Sequence, residues 1–136
     1  MHIQPYLFFE GRCDEAIAFY QKAVGAEVQM LMRFSEAPPE ARQGAAPDSG
    51  DKVMHAALKI GGSVVMMSDG RCAGSPAFGG FSLSLAVADQ AKAQRAYAAL
   101  AEGGQILMPL AKTFFSPQFG MLADRFGVMW MVMAEA

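Results

Sequence analysis

The chain is 136 residues long, 53% hydrophobic and 18% charged, with a formal net charge of −2. A chain of that length can bury a core without staples, and this one is too apolar to be disordered. The slight negative charge argues against a nucleic-acid partner, and no apolar run reaches the roughly 18 residues of a membrane helix, so no membrane association is expected either.

The opening segment, MHIQPYLFFEGRCDEA, lacks the basic and long apolar regions of a secretory signal. Cys13 and Cys72 fit no disulfide framework and no C-x-x-C motif, so free thiols in a reducing cytoplasm are expected. Residues 3–9 read as a strand, with Pro5 placing it at an edge or open face. Residues 14–24 read as a helix with Ala16, Ile17, Tyr20, Ala23 and Val24 on one face. Asp14 and Glu15 suit its positive end, and Gly25 suits its C-terminal stop. Residues 27–34 read as a strand. Residues 36–51, rich in Pro, Gly, Ala and charge, read as a long loop and candidate flap. Residues 52–60 and 63–69 read as two strands joined by a tight turn at Gly61-Gly62.

The pattern then starts again. After a linker at 70–80 comes a strand at 81–88, then a helix at 89–102 capped by Asp89 and stopped by Gly103-Gly104. A short strand at 105–109 and a final hairpin, 118–124 and 127–133, complete the chain. Gly25 and Gly103 hold equivalent places in the two halves, and so do Pro5 and Ser84. The fold class is therefore α+β: one domain, 1–136, made of two βαβββ modules, 1–69 and 81–136. Each module offers a curved mixed sheet with a helix on one face, and the other faces are expected to share a concave cleft.

Strand alternation assigns that cleft its lining. Leu83, Leu85 and Val87 make a bulky face suited to packing under a helix, which turns Ser82 and Ser84 the other way. Trp130 and Val132 alternate with Met129, Met131 and Met133, and His55 shares a face with Lys59. The predicted lining is Leu7, Phe9, His55, Met66, Ser68, Ser82, Ser84, Met129 and Met131: apolar, with one imidazole and several hydroxyls. Among the 11 methionines, core filling and lining a permissive pocket are both natural uses of an adaptable thioether.

His55 is the one internal histidine. It reads either as a general base or as a partnered or ligand-bonding histidine, and the second reading is favoured because no Asp or Glu pairs with it in sequence. Asp69-Gly70 and Asp124-Arg125-Phe126-Gly127 read as structural turns. Arg71 reads as a solvated arginine, with an anion contact as the alternative. Phe114, Phe115 and Phe119 around Pro117 read as an aromatic lip or a dimer contact. There is no G-x-S-x-G, and neither cysteine has motif neighbours, so covalent catalysis has no support.

The segments PYLFFEGRCDEAIAFYQKAVGAE, KVMHAALKIGGSVVMMSD and FGMLADRFGVMWMV carry a resemblance over nearly the whole chain. It resembles the vicinal oxygen chelate superfamily, with its glyoxalase/bleomycin resistance fold. Within it, the chain looks like the PhnB-like branch, often labelled 3-demethylubiquinone 3-methyltransferase-like. Metal-using members of that superfamily place His, Gln or Glu ligands on the first and last strands of each half. Carried over, those positions fall on Pro5, Met66, Ser84 and Met131, none a ligand for a hard divalent ion. The resemblance therefore implies the fold without the metal, and no cofactor is expected. The methyltransferase label has no Gly-rich loop opening a helix to support it.

The function expected is metal-independent binding of a small apolar or aromatic molecule by a homodimer. The alternative is a lyase or isomerase using His55, with or without a divalent metal. A third reading is a dimer whose purpose is structural.

Overall fold

In the computed structural model, residues 1–42, 50–70, 72 and 75–135 are described. Positions 43–49 of the expected flap, and Arg71, lie outside the described residues. The first half runs β1 (Tyr6–Phe8), α1 (Cys13–Val24), β2 (Glu27–Arg33), β3 (Val53–Ile60) and β4 (Ser63–Ser68). The second runs β5 (Leu83–Val87), α2 (Gln90–Ala101), β6 (Gln105–Ala111), β7 (Phe119–Ala123) and β8 (Met129–Ala134). Short 3₁₀ turns, Phe34–Glu36 and Pro39–Arg42, begin the segment after β2. Strand, helix and three strands thus occur twice, in two units, Met1–Pro76 and Ala77–Ala136.

Both sheets have the same topology. Their strand orders are β1-β4-β3-β2 and β5-β8-β7-β6. The first strand of each runs parallel to the last, and the other pairs are antiparallel. The chain must cross from the first strand to a non-neighbour, and the helix makes that crossover possible.

β1 is shorter than the sequence suggests, yet its pairing extends past both ends. Met66 N donates to Pro5 O at 3.0 Å and Phe9 N donates to Ser68 O at 2.8 Å. The register sets Tyr6 beside Met66 and Leu7 beside Met67. Met67 in turn opposes Ala56. Leu7, Ala56 and Met67 are buried, so this parity is the core side, against the helix face formed by Cys13, Ala16, Ile17 and Tyr20. Phe9 follows them in, its ring 6.2 Å from that of Tyr20. This corrects the expected cleft lining: Leu7 and Phe9 belong to the core, and Tyr6 and Phe8 face the other way. Alternation in a stretch as apolar as IQPYLFF does not say which parity goes in; pairing with β4 decides it.

The N-terminus of α1 is held from a distance. Arg12 precedes it without a side-chain cap. The carboxylate of Asp69, just past β4, is fully buried and accepts three backbone N–H groups at 2.8 Å: Gly11 and Cys13 on Oδ1, Val53 on Oδ2. One side chain thereby ties the helix start to the adjoining ends of β3 and β4 and satisfies orphan donors of the first turn. Arg33 at the end of β2 adds a bidentate pair to Asp14 at 2.8 and 3.0 Å.

The second unit solves the same problem locally. Asp89 caps α2, its Oδ1 accepting from Lys92 N at 2.8 Å. Tyr97 lies over Gly120 of β7, where a Cβ would sit 2.7 Å from the ring. Its hydroxyl donates to the carbonyl of Met108 at 2.9 Å, at an irregularity in β6. The final hairpin is organised by a second buried carboxylate, Asp124. It accepts Phe126 N and Val128 N on Oδ1 and the indole N–H of Trp130 on Oδ2, at 2.9, 3.1 and 2.9 Å.

Asp69→Asn keeps the shape but turns an amide N–H₂ toward backbone donors. The expected loss is about 2–4 kcal/mol of unfolding free energy, read as a lower urea midpoint at unchanged slope. Trp130 is the one tryptophan, so its fluorescence follows the second unit. A single cooperative domain should lower the fluorescence and far-UV circular dichroism midpoints together in this variant; an unmoved Trp130 transition would mean two independently unfolding units.

Candidate functional site

On each sheet the side away from the buried parity carries the candidate chemistry. In the first unit β1 contributes Tyr6 and Phe8, β4 contributes Met66 and Ser68, and β3 contributes His55 and Ala57. β2 adds Met30 and Met32, paired with Ala57 and His55. Tyr6 stacks on Phe8 with ring centroids 5.1 Å apart. It also leans on the His55 ring at 5.4 Å, and its hydroxyl lies 2.7 Å from His55 Nδ1. Burial raises the Tyr6 pKa above its ordinary value, the buried Cys13 adds to this, and the Ser68 hydroxyl partly offsets it. The group at this contact is therefore a phenol.

Phe8 is 51% exposed and Met30 43% exposed, so the face presents apolar surface with an imidazole among it. Ser68 shares the face but is only 4% exposed, with its hydroxyl accepting from Gly70 N at 2.9 Å. It acts as a scaffold hydroxyl, and the predicted ligand contact is not available to it as placed. His55 and Met66, also predicted, are half-buried on this face.

In the second unit, Ser84 of β5 pairs with Met131 of β8, which pairs with Met121, which pairs with Met108. The row across the sheet is thus Ser84, Met131, Met121 and Met108. Met129 is half-buried on the same parity, and Ser82 just precedes β5. The corresponding row of the first sheet is Tyr6, Met66, Ala57 and Met30. The two rows match strand for strand, and they show that the partner of Ser84 in the internal repeat is Tyr6, not Pro5. Gly25 and Gly103 have the same spacing as Tyr6 and Ser84, so counting from the helix-stopping glycines also leads to Tyr6, and Pro5 is one residue out.

Sequence reasoning passed over Tyr6 and Phe8. The signal was present in the Tyr-x-Phe spacing, which sets two aromatics on one face of a strand. The loop from Lys112 to Pro117 walls a recess of about 370 Å³. Phe114 projects fully into solvent there, while Phe115 packs edge-on against buried Phe119 at 5.0 Å.

The family described as 3-demethylubiquinone-9 3-methyltransferase matches residues 1–133. The chain belongs to that family. Protein YjdN of Escherichia coli (strain K12) is 37% identical over 140 residues, 97% of this chain and 94% of that protein. The crystal structure of protein PA1353 from Pseudomonas aeruginosa superposes with a TM-score of 0.85 at 40% identity, covering 99% of this chain and 98% of the other. A putative 3-demethylubiquinone-9 3-methyltransferase, PhnB protein, from Bacillus cereus gives 0.80 at 28% identity, covering 98% and 99%. The fold is shared with a glyoxylase/bleomycin resistance protein/dioxygenase domain from Frankia, at 0.63 and 16% identity over 99% and 95% of the chains. That likeness shows the fold.

The superfamily that the sequence resembles sets the fit test, since the resemblance puts metal ligands at the ends of each half. By register, the matched positions of the two sheets hold Tyr6, Met66, Ser84 and Met131. A phenol whose proton is held by burial, two thioethers and one aliphatic hydroxyl do not suit zinc, nickel, manganese or iron. Among the described residues, no group of three or more His, Cys, Asp or Glu side chains is placed to hold an ion.

Cys13 offers no nucleophile. It is fully buried at the start of α1, and burial, with the charges of Asp69 and Asp14, pushes its thiol pKa far up. In the unfolded chain the same thiol ionises near its ordinary value of about 8.5. Unfolding is therefore most costly below that pH, and stability should fall as pH rises from about 8 to 10 because only the unfolded state gives up the proton. Denaturant titrations at those pH values check this, and Cys13→Ala should flatten the decline. In the native protein Cys13 should resist a thiol reagent until the chain unfolds.

Proposed function

We propose that this protein is a metal-independent binding protein for a small apolar or aromatic molecule held on an open sheet face, where the polar contact is His55 in the first unit and Ser84 in the second. The observation that carries this reading is the pair of matched rows, Tyr6–Met66 and Ser84–Met131, at the positions to which the superfamily resemblance would assign metal ligands. Thioethers and aromatics there make adaptable apolar surface, which suits binding better than Lewis-acid chemistry. His55 supports the same reading. Its hydrogen-bond partner is a phenol rather than the carboxylate that orients a general-base imidazole. Sequestration needs affinity alone.

The reading includes a homodimer working in the cytoplasm. Exposed apolar side chains on β6, with Ile106 at 56%, and the projecting Phe114 favour self-association. The methyl transfer in the family's description is not part of it, because no Gly-rich loop opens either helix. The second reading, a lyase or isomerase, draws on the Tyr6–His55 contact itself, which could relay a proton.

Three measurements separate these readings. In a thermal-shift screen, aromatic compounds should raise the melting temperature equally with and without a chelator, and S-adenosylmethionine should have no effect. His55→Ala should weaken the best hit about 5- to 10-fold by calorimetry, the worth of one hydrogen bond. Stoichiometric zinc, nickel, manganese or iron in untagged protein would overturn the binding reading in favour of the enzyme.

A further inference from the structure

We infer that Tyr6 is a positioning residue that fixes His55 as an Nε2–H donor, so that the first sheet selects aromatic molecules bearing a ring-attached oxygen acceptor. This deepens the binding reading above and rests on it. The contact is between the Tyr6 hydroxyl and Nδ1, at 2.7 Å. A phenol is a good donor and a weak acceptor; Ser68, the other side chain bonded to the hydroxyl, pulls the Tyr6 pKa down as a donor does, which leaves Nδ1 to accept the phenolic proton. Were Nδ1 to carry the proton, the phenolic O–H would face it with nothing to donate to. With the phenol donating, a neutral imidazole carries its proton on Nε2.

The surroundings define the rest of the ligand. The stacked Tyr6 and Phe8 rings, 28° from coplanar, form a platform with Phe8 half in solvent. Met30, Met32 and Met66 lie on the same face and give polarizable contacts to an aromatic ring. Lys59 shares the parity of His55, and its register partner is the acidic Glu27. A neutral aryl carbonyl matches this surface: a flat apolar ring with one acceptor for one N–H. A donor-only aromatic would set an N–H against an N–H.

The first test needs no ligand. Two-bond proton–nitrogen spectra of ¹⁵N-labelled protein at about pH 8.5, in the range where imidazoles are neutral, distinguish the two tautomers. His2 is the other histidine, and a His55→Gln sample assigns the signals. His55 should show the Nε2–H pattern, and Tyr6→Phe should convert it to a mixture while His2 is unmoved. An Nδ1–H pattern in the unaltered protein, or a tautomer indifferent to Tyr6→Phe, overturns the inference. The second test titrates acetophenone, its isostere cumene and the donor benzylamine. Acetophenone should shift the His55 signals and bind about 5- to 10-fold more tightly than cumene, with the difference lost in Tyr6→Phe. Equal binding of acetophenone and cumene overturns the inference and leaves the binding reading standing. Binding of none of the three, with the tautomer as expected, overturns the binding reading and this inference with it.

Discussion

A buried carboxylate with three backbone donors aimed at it is the constraint on which the first unit is built. Asp69 accepts from Gly11, Cys13 and Val53, which belong to the turn after β1, the start of α1 and the start of β3. The N–H groups of Cys13 and Val53 would otherwise be buried without a partner, and each such loss costs about 1–3 kcal/mol. The same contacts fix where β1 ends. They thereby fix which of its residues face the helix and which face outward, so the placement of Tyr6 and Phe8 on the open face follows from a carboxylate far along the chain.

The two halves share a topology but not the means of securing it. α1 has no local cap and borrows Asp69, whereas α2 is capped by the residue before it, Asp89. The hairpin β7–β8 has its own carboxylate, Asp124, bonded to the indole of Trp130. Pseudo-symmetry therefore holds for strand order and for the rows Tyr6–Met66–Ala57–Met30 and Ser84–Met131–Met121–Met108, not for the polar anchors. Strand pairing demands only complementary backbone, so it tolerates divergence of the side chains that lock it.

The chemistry of the open faces follows from the same division. Their residues are largely free of the packing role that falls to the opposite parity, so they can vary without loss of fold. In the first sheet this freedom is used by a phenol, an imidazole and an exposed phenyl ring; in the second, by methionines and a serine. Burial keeps both the Tyr6 phenol and the Cys13 thiol protonated, one at the open face and the other behind it. What remains for chemistry is hydrogen bonding and apolar contact.

The order of elements was legible in the sequence because its signals are local. Gly25 stops α1 with φ +67°, Asp89 caps α2, and Gly61-Gly62 turns β3 into β4. The repeat of strand, helix and three strands follows from these alone, and so does the parity of β5 and β8, where Leu83, Leu85 and Val87 alternate with small residues. The N-terminal strand was not legible in this way. Both of its parities are apolar, so the choice between Leu7 with Phe9 and Tyr6 with Phe8 rested on pairing with a strand some sixty residues away. The Tyr6–His55 contact and the role of Asp69 were hidden for the same reason: the partners are separated by 49 to 58 residues, and no local pattern records a hydrogen bond that exists only once the sheet has assembled.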